Sequence, residues 1–475
     1  MKVTHAPIIP SEAAKAANRP CFTPELLAAS GARYSRNNSG IEEIYSNIDF
    51  DNLDKSVDSI FKMVDYGHQS IADMAPVAMF MDDVSIYLAY HLWSMCAVVS
   101  GQESSTRYIK IDIEGVVNPD TLGIPTNLQP VWKQNVLDGF AKYQQAVDFW
   151  DGLGKADPKI MRISEKILED TSEKGQKVID RMRRNYVFDR ARYFLPMGAA
   201  TNVMMVMPAR EWVKLINDLL SSSLPEFNTL GNLMREELTL VTPRLVKHAV
   251  ATDSTKNVLD DEFEWLRANI DGVLNRCVNE TEPCSIAPVA NLEINYPSNP
   301  RSHFFLQFPE DIVAGLKHRT NRYSRFGSAL RRTMVRFGWD AVAMAEIRDL
   351  NRHRTGEKYC PLIPLGFYAA LDQIPKHIDD SAMVELAEWG LARTKDAREN
   401  LRNGVRTYMY DTLLGSQFPF EHLTTANHFI YEAELRTGTG AHYRYAKHLR
   451  DVLHIWYKHH PETKSLIFEG SAEPE

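Results

Sequence analysis

The two halves of the 475-residue chain share one order of segments. In each half an apolar segment is followed by a polar loop with an aromatic-rich end, GQESSTRY at 101–108 and TGEKYCPLIPLGFY at 355–368. A long amphipathic segment then leads into a stretch rich in arginine and aromatic residues, ARYFLP and VRTYMYD. The spacing of roughly 200 residues is far longer than the period of solenoid repeats. The pattern therefore predicts duplication of a whole domain.

Helical periodicity dominates both halves. Apolar residues recur three and four apart over 157–196 and 380–415, and a Pro or Gly closes each segment. Segments with strand character are few and short, among them HFFLQF at 303–308. Because helix outweighs strand, the pattern predicts an α+β fold and not a doubly wound sheet. A patch rich in Pro and Asn, residues 281–302, is the best candidate for the connection between the halves.

The composition is typical of a soluble globular protein, with 44% hydrophobic and 24% charged residues. A net charge of −8 and a pI near 6.0 argue against bulk non-specific binding of nucleic acid but allow a local basic pocket. The most apolar segment, 74–101, carries Asp82 and Asp83, whose carboxylates would be costly in hydrocarbon. We therefore expect a buried helix or strand pair in this segment, and not a membrane span.

The cysteines indicate a reducing compartment. There are five, which is an odd number, and they are scattered along the chain. Cys277 and Cys284 lack the spacing of zinc ligands, so no metal site is predicted. The N-terminus has no continuous apolar stretch of the signal-peptide type. A cytoplasmic protein with reduced thiols is the expected result.

Arg352, His353 and Arg354 form an unbroken row of potential cations. Successive residues of a helix are about 100° apart, so the two arginines diverge and cannot both hold one small anion. They could instead hold two anionic groups of one large ligand, or two ligands that meet at a helix end. The alternative interpretation is a solvated basic face of a helix.

A second candidate is the loop at 100–108, which has little apolar content. Arg107 suits a phosphate, Ser105 suits a ribose or phosphate oxygen, and Glu103 can accept a hydrogen bond from a hydroxyl or amide. An ordinary polar turn is the alternative interpretation of this loop.

Four further residues are weaker candidates. In GHQS at 67–70, His68 could bond a cofactor ring and Ser70 could bind a phosphate at a helix start, although a lone histidine is more often structural. Arg192 and Arg436 stand at the ends of helical stretches, where an arginine usually satisfies carbonyl groups or pairs with a surface acid.

Taken in their order along the chain, these motifs resemble the signature of the flavin-dependent thymidylate synthases. The first half carries GHxS, the S-x-x-E-x-S-x-R-Y loop and ARxxLP, and the second half carries RHR and an ELR element that ends at Arg436. The resemblance covers most of the chain. It implies two fused copies of the family's domain, at 1–280 and 303–475, joined by 281–302. Each copy is expected to be helix-rich with a small antiparallel sheet.

Each copy has lost part of this signature, and the losses are complementary. In the first half, Met95, Cys96 and Ala97 stand at the RHR positions and Leu219 at that of the ELR arginine. In the second half, the loop after RHR is shortened to TGEKY. In this family the active sites form where chains meet around a two-fold axis. The resemblance thus implies one composite site, with RHR and ELR from the second half and the ExSxR loop and ARxxLP from the first.

The resemblance also implies roles for the individual residues. Arg436 would contact the uracil edge and is the predicted catalytic residue. The predicted substrate-binding residues are Glu103, Ser105, Arg107, Arg192 and Arg352, with Arg107 and Arg192 on the nucleotide phosphate. The predicted cofactor-binding residues are His68, Ser70, Glu103, Arg352, His353 and Arg354.

The implied cofactor is FAD, with NADPH as reductant and methylenetetrahydrofolate as one-carbon donor. The predicted reaction is the transfer of one carbon to C5 of a deoxyuridine nucleotide, and a homodimer of pseudo-dimers is expected. One alternative is a flavin enzyme that modifies another pyrimidine nucleotide. The other is a non-catalytic nucleotide- or RNA-binding protein that uses residues 317–338, a stretch without any acidic residue.

Overall fold

The structure is a computed structural model. It describes residues 1–19, 21–36, 38, 40–65, 69–96, 99–111, 115–277, 284–296, 312–438 and 440–470. The predicted strand at 303–308 and the candidate His68 lie outside these residues.

The described residues form eight strands and nineteen α-helices, which are numbered in chain order. Up to residue 277 they are β1 (Lys2–His5), α1 (Glu12–Ala16), α2 (Pro24–Tyr34), α3 (Ile41–Ser46), α4 (Leu53–Asp65), β2 (Pro76–Ser85), α5 (Ile86–Met95), β3 (Ser100–Glu103), α6 (Pro119–Leu122), α7 (Gln129–Ala156), α8 (Glu165–Leu168), α9 (Glu173–Ala191), β4 (Ala200–Pro208), α10 (Ala209–Ser221), α11 (Pro225–Val241), α12 (Asp253–Ala268) and α13 (Ile270–Cys277). After residue 284 they are β5 (Ala290–Asn295), α14 (Ile312–Leu316), α15 (Ser328–Arg332), β6 (Met334–Ala343), α16 (Met344–Asn351), β7 (Glu357–Tyr359), α17 (Ser381–Arg402), β8 (Gln417–Thr425), α18 (Ala426–Arg436) and α19 (Tyr443–His459).

The strands form two antiparallel sheets with the same topology. The first sheet has the order β1-β2-β4-β3, and the second has the corresponding order β5-β6-β8-β7. Both sheets shift register near the end of their second strand, between Met81 and Val84 in one and between Trp339 and Val342 in the other. In each case this strand runs directly into a helix, α5 or α16. The helix-rich α+β fold with a small antiparallel sheet in each copy is therefore confirmed.

The acidic pair in the most apolar segment lies at the irregularity of the first sheet. Asp83 has a left-handed backbone, with φ of 58°, and its N–H donates to Asn202 Oδ1 at 3.0 Å. Short polar side chains tolerate this conformation better than apolar branched ones. The bulge leaves Asp83 exposed and Asp82 half-buried, while the strand and helix around them supply core residues. The segment is thus a strand followed by a helix.

The chain contacts divide the molecule into two compact units. Unit 1 comprises 1–104, 114–129 and 198–264, and unit 2 comprises 105–113, 130–197 and 265–475. Unit 1 contains the first sheet with α5, α10 and α11, and unit 2 contains the second sheet with α16, α18 and α19. Unit 2 also contains α7 to α9, which belong to the first half of the sequence. The predicted boundaries at 280 and 303 stay a prediction, and β5 lies within the predicted connection.

Local sequence explains how the helix that follows each second strand begins. Ser85 caps α5, because its side-chain oxygen accepts from the Leu88 N–H, and Glu226 in turn accepts from the Ser85 N–H and Oγ–H. In the second sheet Ala343 stands at the cap of α16 without a side-chain bond. There the N–H groups of Met344 and Ala345 donate to the carbonyls of Ser416 and Leu414 instead. At the start of α16, hydrogen bonds to backbone carbonyls of another segment therefore take the place of a side-chain cap.

Candidate functional site

Helix α16 carries the carboxylate around which the arginines of the site gather. All of its residues are buried, and Asp349 near its C-terminal end is 8% exposed. Arg192, just after α9, is almost fully buried and places Nη1 and Nη2 each 3.3 Å from Asp349 Oδ2. Neither charge would be stable alone in such a place, so each stabilises the burial of the other.

Arg436 reaches the same end of α16 from the last residue of α18. Its Nη2 donates to the carbonyl oxygen of Asp349 at 3.1 Å, and its Nε donates to His353 Nε2 at 2.7 Å. His353 must be neutral to accept this bond, and burial lowers the pKa of His353 to about 3. The Arg436 Nη1 makes no hydrogen bond to a described residue. Among the described residues, this amino group therefore has no hydrogen-bond acceptor.

Glu432, one turn before Arg436 on α18, supports His353 from behind. Its Oε1 lies 3.8 Å from His353 Nε2, and its Oε2 lies 3.1 Å from His422 Nδ1. Burial opposes the ionisation of Glu432, but His353, His422 and Arg436 outweigh it and hold its pKa at about 2. A buried anion thus stands behind the pair of His353 and Arg436.

Arg107 forms a second arginine–carboxylate pair. Its Nε donates to Asp189 Oδ1 at 2.7 Å and its Nη2 donates to Asp189 Oδ2 at 2.9 Å, which is the bidentate geometry that suits a guanidinium. Its Nη1 donates to the carbonyl of Gly440 at 3.1 Å, and its backbone N–H donates to Ser105 Oγ at 3.2 Å. His442 Nε2 bonds the Asp189 carbonyl at 3.1 Å. These contacts join the loop, α9 and the segment before α19.

Four arginines act together on Asp349. Burial would raise the pKa of the Asp349 carboxyl, but the charges of Arg192, Arg352, Arg107 and Arg436 hold it well below its usual range. We call these four residues the arginine cluster. They carry four positive charges against the three carboxylates of Asp189, Asp349 and Glu432, so the cluster retains an excess of positive charge while the nearby Glu346, whose pKa burial raises to about 7, is protonated.

An open cavity lies beside Tyr108, the residue that follows Arg107. It has a volume of about 610 Å³ and is lined by Tyr108, Arg181, Arg184 and Asn185. The Arg107 guanidinium lies over the Tyr108 ring at 5.4 Å. Because Arg181 and Arg184 are exposed on α9, the lining of this cavity is positively charged.

The structure brings most of the predicted site residues into unit 2. Arg107 and Arg192 from the first half of the sequence lie in the same compact unit as Arg352, His353 and Arg436 from the second half. Arg352 is half-buried and Arg354 is exposed.

The other predicted site residues have different settings. Ser105 lies beside Arg107 in unit 2, whereas Glu103 is the buried last residue of β3 in unit 1. Ser70 is exposed in a short 3₁₀ turn of unit 1. The roles of all these residues remain predictions.

Sequence reasoning missed the carboxylates of the site. Asp349 and Asp189 each stand three residues before a predicted arginine, Arg352 and Arg192, and this spacing places the two side chains on one helix face. That spacing was a usable signal. Glu346 and Glu432 gave none, because an acidic residue in an amphipathic helix usually faces solvent.

The basic stretch at 317–338 is not a uniform basic surface. Arg319 is 8% exposed, and its guanidinium donates to both oxygens of the buried Glu434 at 2.8 and 2.6 Å. It also lies over the Phe326 ring at 3.8 Å. Arg336 pairs with Glu421 at 2.7 Å. At least two of its arginines therefore have structural carboxylate partners.

Among the described residues, no group of three or more His, Cys, Asp or Glu side chains could hold a metal ion. None of the helices that the structure describes is both long and apolar enough to cross a membrane.

Comparison with known proteins gives one family match and several remote ones. Residues 21–244 match the model of the family described as thymidylate synthase complementing protein. An UPF0159 protein of Chlamydia muridarum is 23% identical over 463 residues, which are 87% of this chain and 81% of that protein. One from Chlamydia pneumoniae is 25% identical over 331 residues, 64% of this chain and 60% of its own length.

Two solved structures are similar at 14% identity and a TM-score of 0.30 each. One is a UMP/dUMP methylase, PolB from Streptomyces cacaoi with 5-Br dUMP, and the match covers 47% of this chain and 89% of that one. The other is the flavin-dependent thymidylate synthase ThyX of Helicobacter pylori with FAD and dUMP. This match covers 53% of this chain and 100% of that one.

The family match covers the segment that holds the ExSxR loop and the ARxxLP motif. For residues 21–244 it supports the resemblance to the flavin-dependent thymidylate synthase family that the sequence predicts.

Proposed function

We propose that this protein is an FAD-dependent enzyme that methylates C5 of a deoxyuridine nucleotide, with methylenetetrahydrofolate as carbon donor and NADPH as reductant. The active site is a single composite site at the arginine cluster. The observation that carries this proposal is that Arg192 from the first half of the sequence and Arg436 from the second half both bond Asp349, one at its carboxylate and one at its carbonyl oxygen.

The charge of the cluster supports an anionic ligand such as a nucleotide phosphate. The carboxylates offset most of the positive charge, so the four arginines can stay close together before a ligand binds. The remaining positive charge attracts a dianion. Unused donors remain as well. The Arg192 Nε is buried without a hydrogen-bond partner among the described residues, and the Arg436 Nη1 is available. Donors in a water-poor site form strong charge-assisted bonds to phosphate or to a carbonyl that gains negative charge.

Arg436 is the proposed catalytic residue. A guanidinium beside the uracil edge stabilises negative charge on the ring carbonyls, which develops when C5 reacts as a nucleophile. His353 and Glu432 position this group, because His353 accepts from Arg436 Nε and Glu432 lies behind His353. The pKa of His353 is lowered to about 3, so this acceptor persists over the whole physiological range.

The donor set also fits the pyrophosphate of FAD. Arg352 is half-buried and Arg354 is exposed at the C-terminal end of α16, and two diverging arginines suit two phosphate groups of one ligand. His353 is turned toward Arg436 and Glu432, so it would act on the flavin site through its neighbours. FAD, when bound, supplies the hydride chemistry that protein side chains lack.

The first experiment measures flavin binding and product formation. Purified protein, or protein incubated with FAD, should show flavin absorbance near about 450 nm. With dUMP, NADPH and labelled methylenetetrahydrofolate it should form labelled dTMP, identified by mass spectrometry. Protein that takes up no FAD contradicts the proposal, and a labelled product other than dTMP shows that the substrate is a different pyrimidine nucleotide.

The second experiment tests the composite site. The Arg436→Ala variant should lose turnover by roughly 10²- to 10³-fold, the loss expected for one donor to a developing oxyanion. The matched control is Arg336→Ala, which removes the same charge from an exposed pair in unit 2 and should leave turnover unchanged. Equal activity of the two variants would contradict the assignment of Arg436.

A further inference from the structure

Five side chains form a continuous polar chain that leads away from the arginine cluster. Glu346 Oε1 accepts from the Tyr193 hydroxyl at 2.8 Å, and the Tyr193 and Tyr443 hydroxyl oxygens are 3.3 Å apart. The Tyr443 and Tyr368 hydroxyl oxygens are 3.4 Å apart, and Tyr368 donates to Asp372 Oδ1 at 2.6 Å. All five residues belong to unit 2.

The two ends of this chain lie in different surroundings. Glu346 is fully buried, and its Oε1 is 3.8 Å from Arg192 Nη2 of the arginine cluster. The three tyrosines are buried as well. The Asp372 side chain is 45% exposed, so this carboxylate can exchange protons with water. The chain thus connects the interior of the candidate site with solvent.

The number of protons in the chain decides how it behaves. It has four links between neighbouring groups, but with both carboxylates ionised only three hydroxyl protons are available to fill them. One link must then be empty, and Tyr443 can donate on only one side. The two longest distances, 3.3 and 3.4 Å, are those of Tyr443, whereas the outer links at 2.8 and 2.6 Å are of ordinary length.

One additional proton completes the chain in either of two directions. If Glu346 is protonated, every group donates toward Asp372, and if Asp372 is protonated, every group donates toward Glu346. Passage of the proton from Glu346 moves one proton along each link, so every tyrosine gains one proton as it loses another. No tyrosinate forms, and rotation of the hydroxyl groups restores the first orientation.

Charged groups at both ends favour this exchange. Burial is the main cause that raises the pKa of Glu346 to about 7, and the charge of Asp349 acts in the same direction. The charges of Arg192 and Arg444 and the hydrogen bond from Tyr193 act in the opposite direction. Arg444 Nη1 lies 3.4 Å from Asp372 Oδ2, and its guanidinium lies over the Tyr368 ring at 3.8 Å.

We propose that Glu346, Tyr193, Tyr443, Tyr368 and Asp372 form a proton relay that carries one proton between the arginine cluster and solvent. The relay depends on the proposed function in one respect, which is that the reaction takes place at the arginine cluster. Substitution of hydrogen at C5 of a pyrimidine releases a proton inside a buried site, and this proton needs an exit. Glu346 is the acceptor on the inside, and Asp372 delivers the proton to water.

The test follows protonation of Glu346 in the ligand-free protein, so it needs neither flavin nor nucleotide. Infrared difference spectroscopy after a rapid pH jump should show a protonated-carboxyl band that is absent in the Glu346→Gln variant. In the Tyr443→Phe variant, which breaks both central links, the band should respond at least about tenfold more slowly, while its titration midpoint stays near that of the wild type. Asp372→Asn should slow it as well.

The matched control is Tyr457→Phe, which removes a hydroxyl from the same helix, α19, outside the chain. In this variant the Glu346 band should respond to the pH jump at the wild-type rate. A substitution that only disturbed the structure would shift the titration midpoint of the Glu346 band or lower the stability of the protein. It would not slow proton exchange at Glu346 selectively. If Tyr443→Phe and Tyr368→Phe both exchange at the native rate, or if wild-type Glu346 shows no titrating band, the relay is excluded, whether or not the enzyme methylates dUMP.

Discussion

The molecule contains one scaffold twice, and buried charged side chains of one copy stand at positions where the other copy has uncharged ones. We call β1–β4 with α5, α10 and α11 the first repeat, and β5–β8 with α16, α18 and α19 the second repeat. Counted from the first residue of the helix after the second strand, Leu88 and His91 of α5 correspond to Glu346 and Asp349 of α16. Leu88 is fully buried, and burial lowers the pKa of His91 to about 4.

The helix after the fourth strand shows the same difference. Leu219 stands at the same distance from the start of β4 as Arg436 from the start of β8, as the sequence comparison predicts. Leu219 is fully buried and packs against Gly231 of α11, whose hypothetical Cβ would lie 3.1 Å from Leu219 Cβ. Arg436 instead bonds His353 and the Asp349 carbonyl.

This comparison shows what holds cations in the second repeat. Strand order and helix positions are the same in both, so the scaffold does not decide the chemistry. The buried carboxylates decide it, because a guanidinium remains inside a protein only with a partner. The repeat that keeps Asp349 keeps its arginines, and the repeat with His91 at that place has none at the corresponding positions.

The largest effect is expected where an arginine is placed in the first repeat. The Leu219→Arg variant buries a cation in place of a fully buried apolar side chain, and it also overfills a tight contact with Gly231. We expect a loss of about 3–5 kcal/mol in the free energy of unfolding. Urea unfolding measures this, with Leu219→Met as the apolar control. A variant as stable as the wild type would show that the first repeat still tolerates an anion-binding residue.

Glu346 gives a smaller effect that depends on pH. Its pKa is raised from 4.5 to about 7, so folding retains a proton that the unfolded chain releases between these values. The stability this provides is fully present below pH 4.5 and is lost as the pH rises through 7.

The Glu346→Gln variant cannot lose that proton. Relative to the wild type it should therefore become more stable by up to about 3 kcal/mol between about pH 5 and about pH 8. Denaturant unfolding at both pH values measures the difference. A difference that is equal at the two pH values would mean that Glu346 is ionised in the folded protein at both, and would contradict the raised pKa of this carboxyl.

Arg352 is expected to affect ligand affinity more than stability, because it is half-buried and one of four cations near Asp349. The Arg352→Ser variant should bind dUMP or inorganic pyrophosphate about 10- to 100-fold more weakly, which corresponds to one charge-assisted hydrogen bond of about 1.5–3 kcal/mol. Titration calorimetry measures the affinity, and Arg336→Ser is the control of equal charge. Unchanged affinity would exclude Arg352 from the anion site.

Within the candidate site, sequence patterns predicted only the residues that belong to motifs. The order of GHxS, the ExSxR loop, ARxxLP, RHR and ELR indicates the family and selects Arg107, Arg192, Arg352, His353 and Arg436 as candidate site residues. The strand and helix starts place Ser94, Met95 and Cys96 opposite RHR, one residue earlier than the sequence alignment predicts. Neither assignment supplies a cation.

The sequence could not predict the buried acids or the tyrosine chain. Glu346 lies on a helix whose whole circumference is buried, and an acidic residue there contradicts the usual periodicity. Tyr193, Tyr368 and Tyr443 belong to three distant segments and meet only through the tertiary fold. Such contacts have no local signature, because no spacing along the chain reports them.

The smallest effect is expected where a cation is restored on the surface of the first repeat. Ser94 is exposed and occupies the position of Arg352, so Ser94→Arg should change the free energy of unfolding by less than about 0.5 kcal/mol. It should also create no second site for dUMP, because Leu88 and His91 stand where the anions of α16 stand in the second repeat. Calorimetry should keep the stoichiometry of the wild type. A second equivalent of dUMP bound by this variant, and lost again in the Ser94→Gln variant, would show that one arginine without a buried carboxylate is sufficient to form the site.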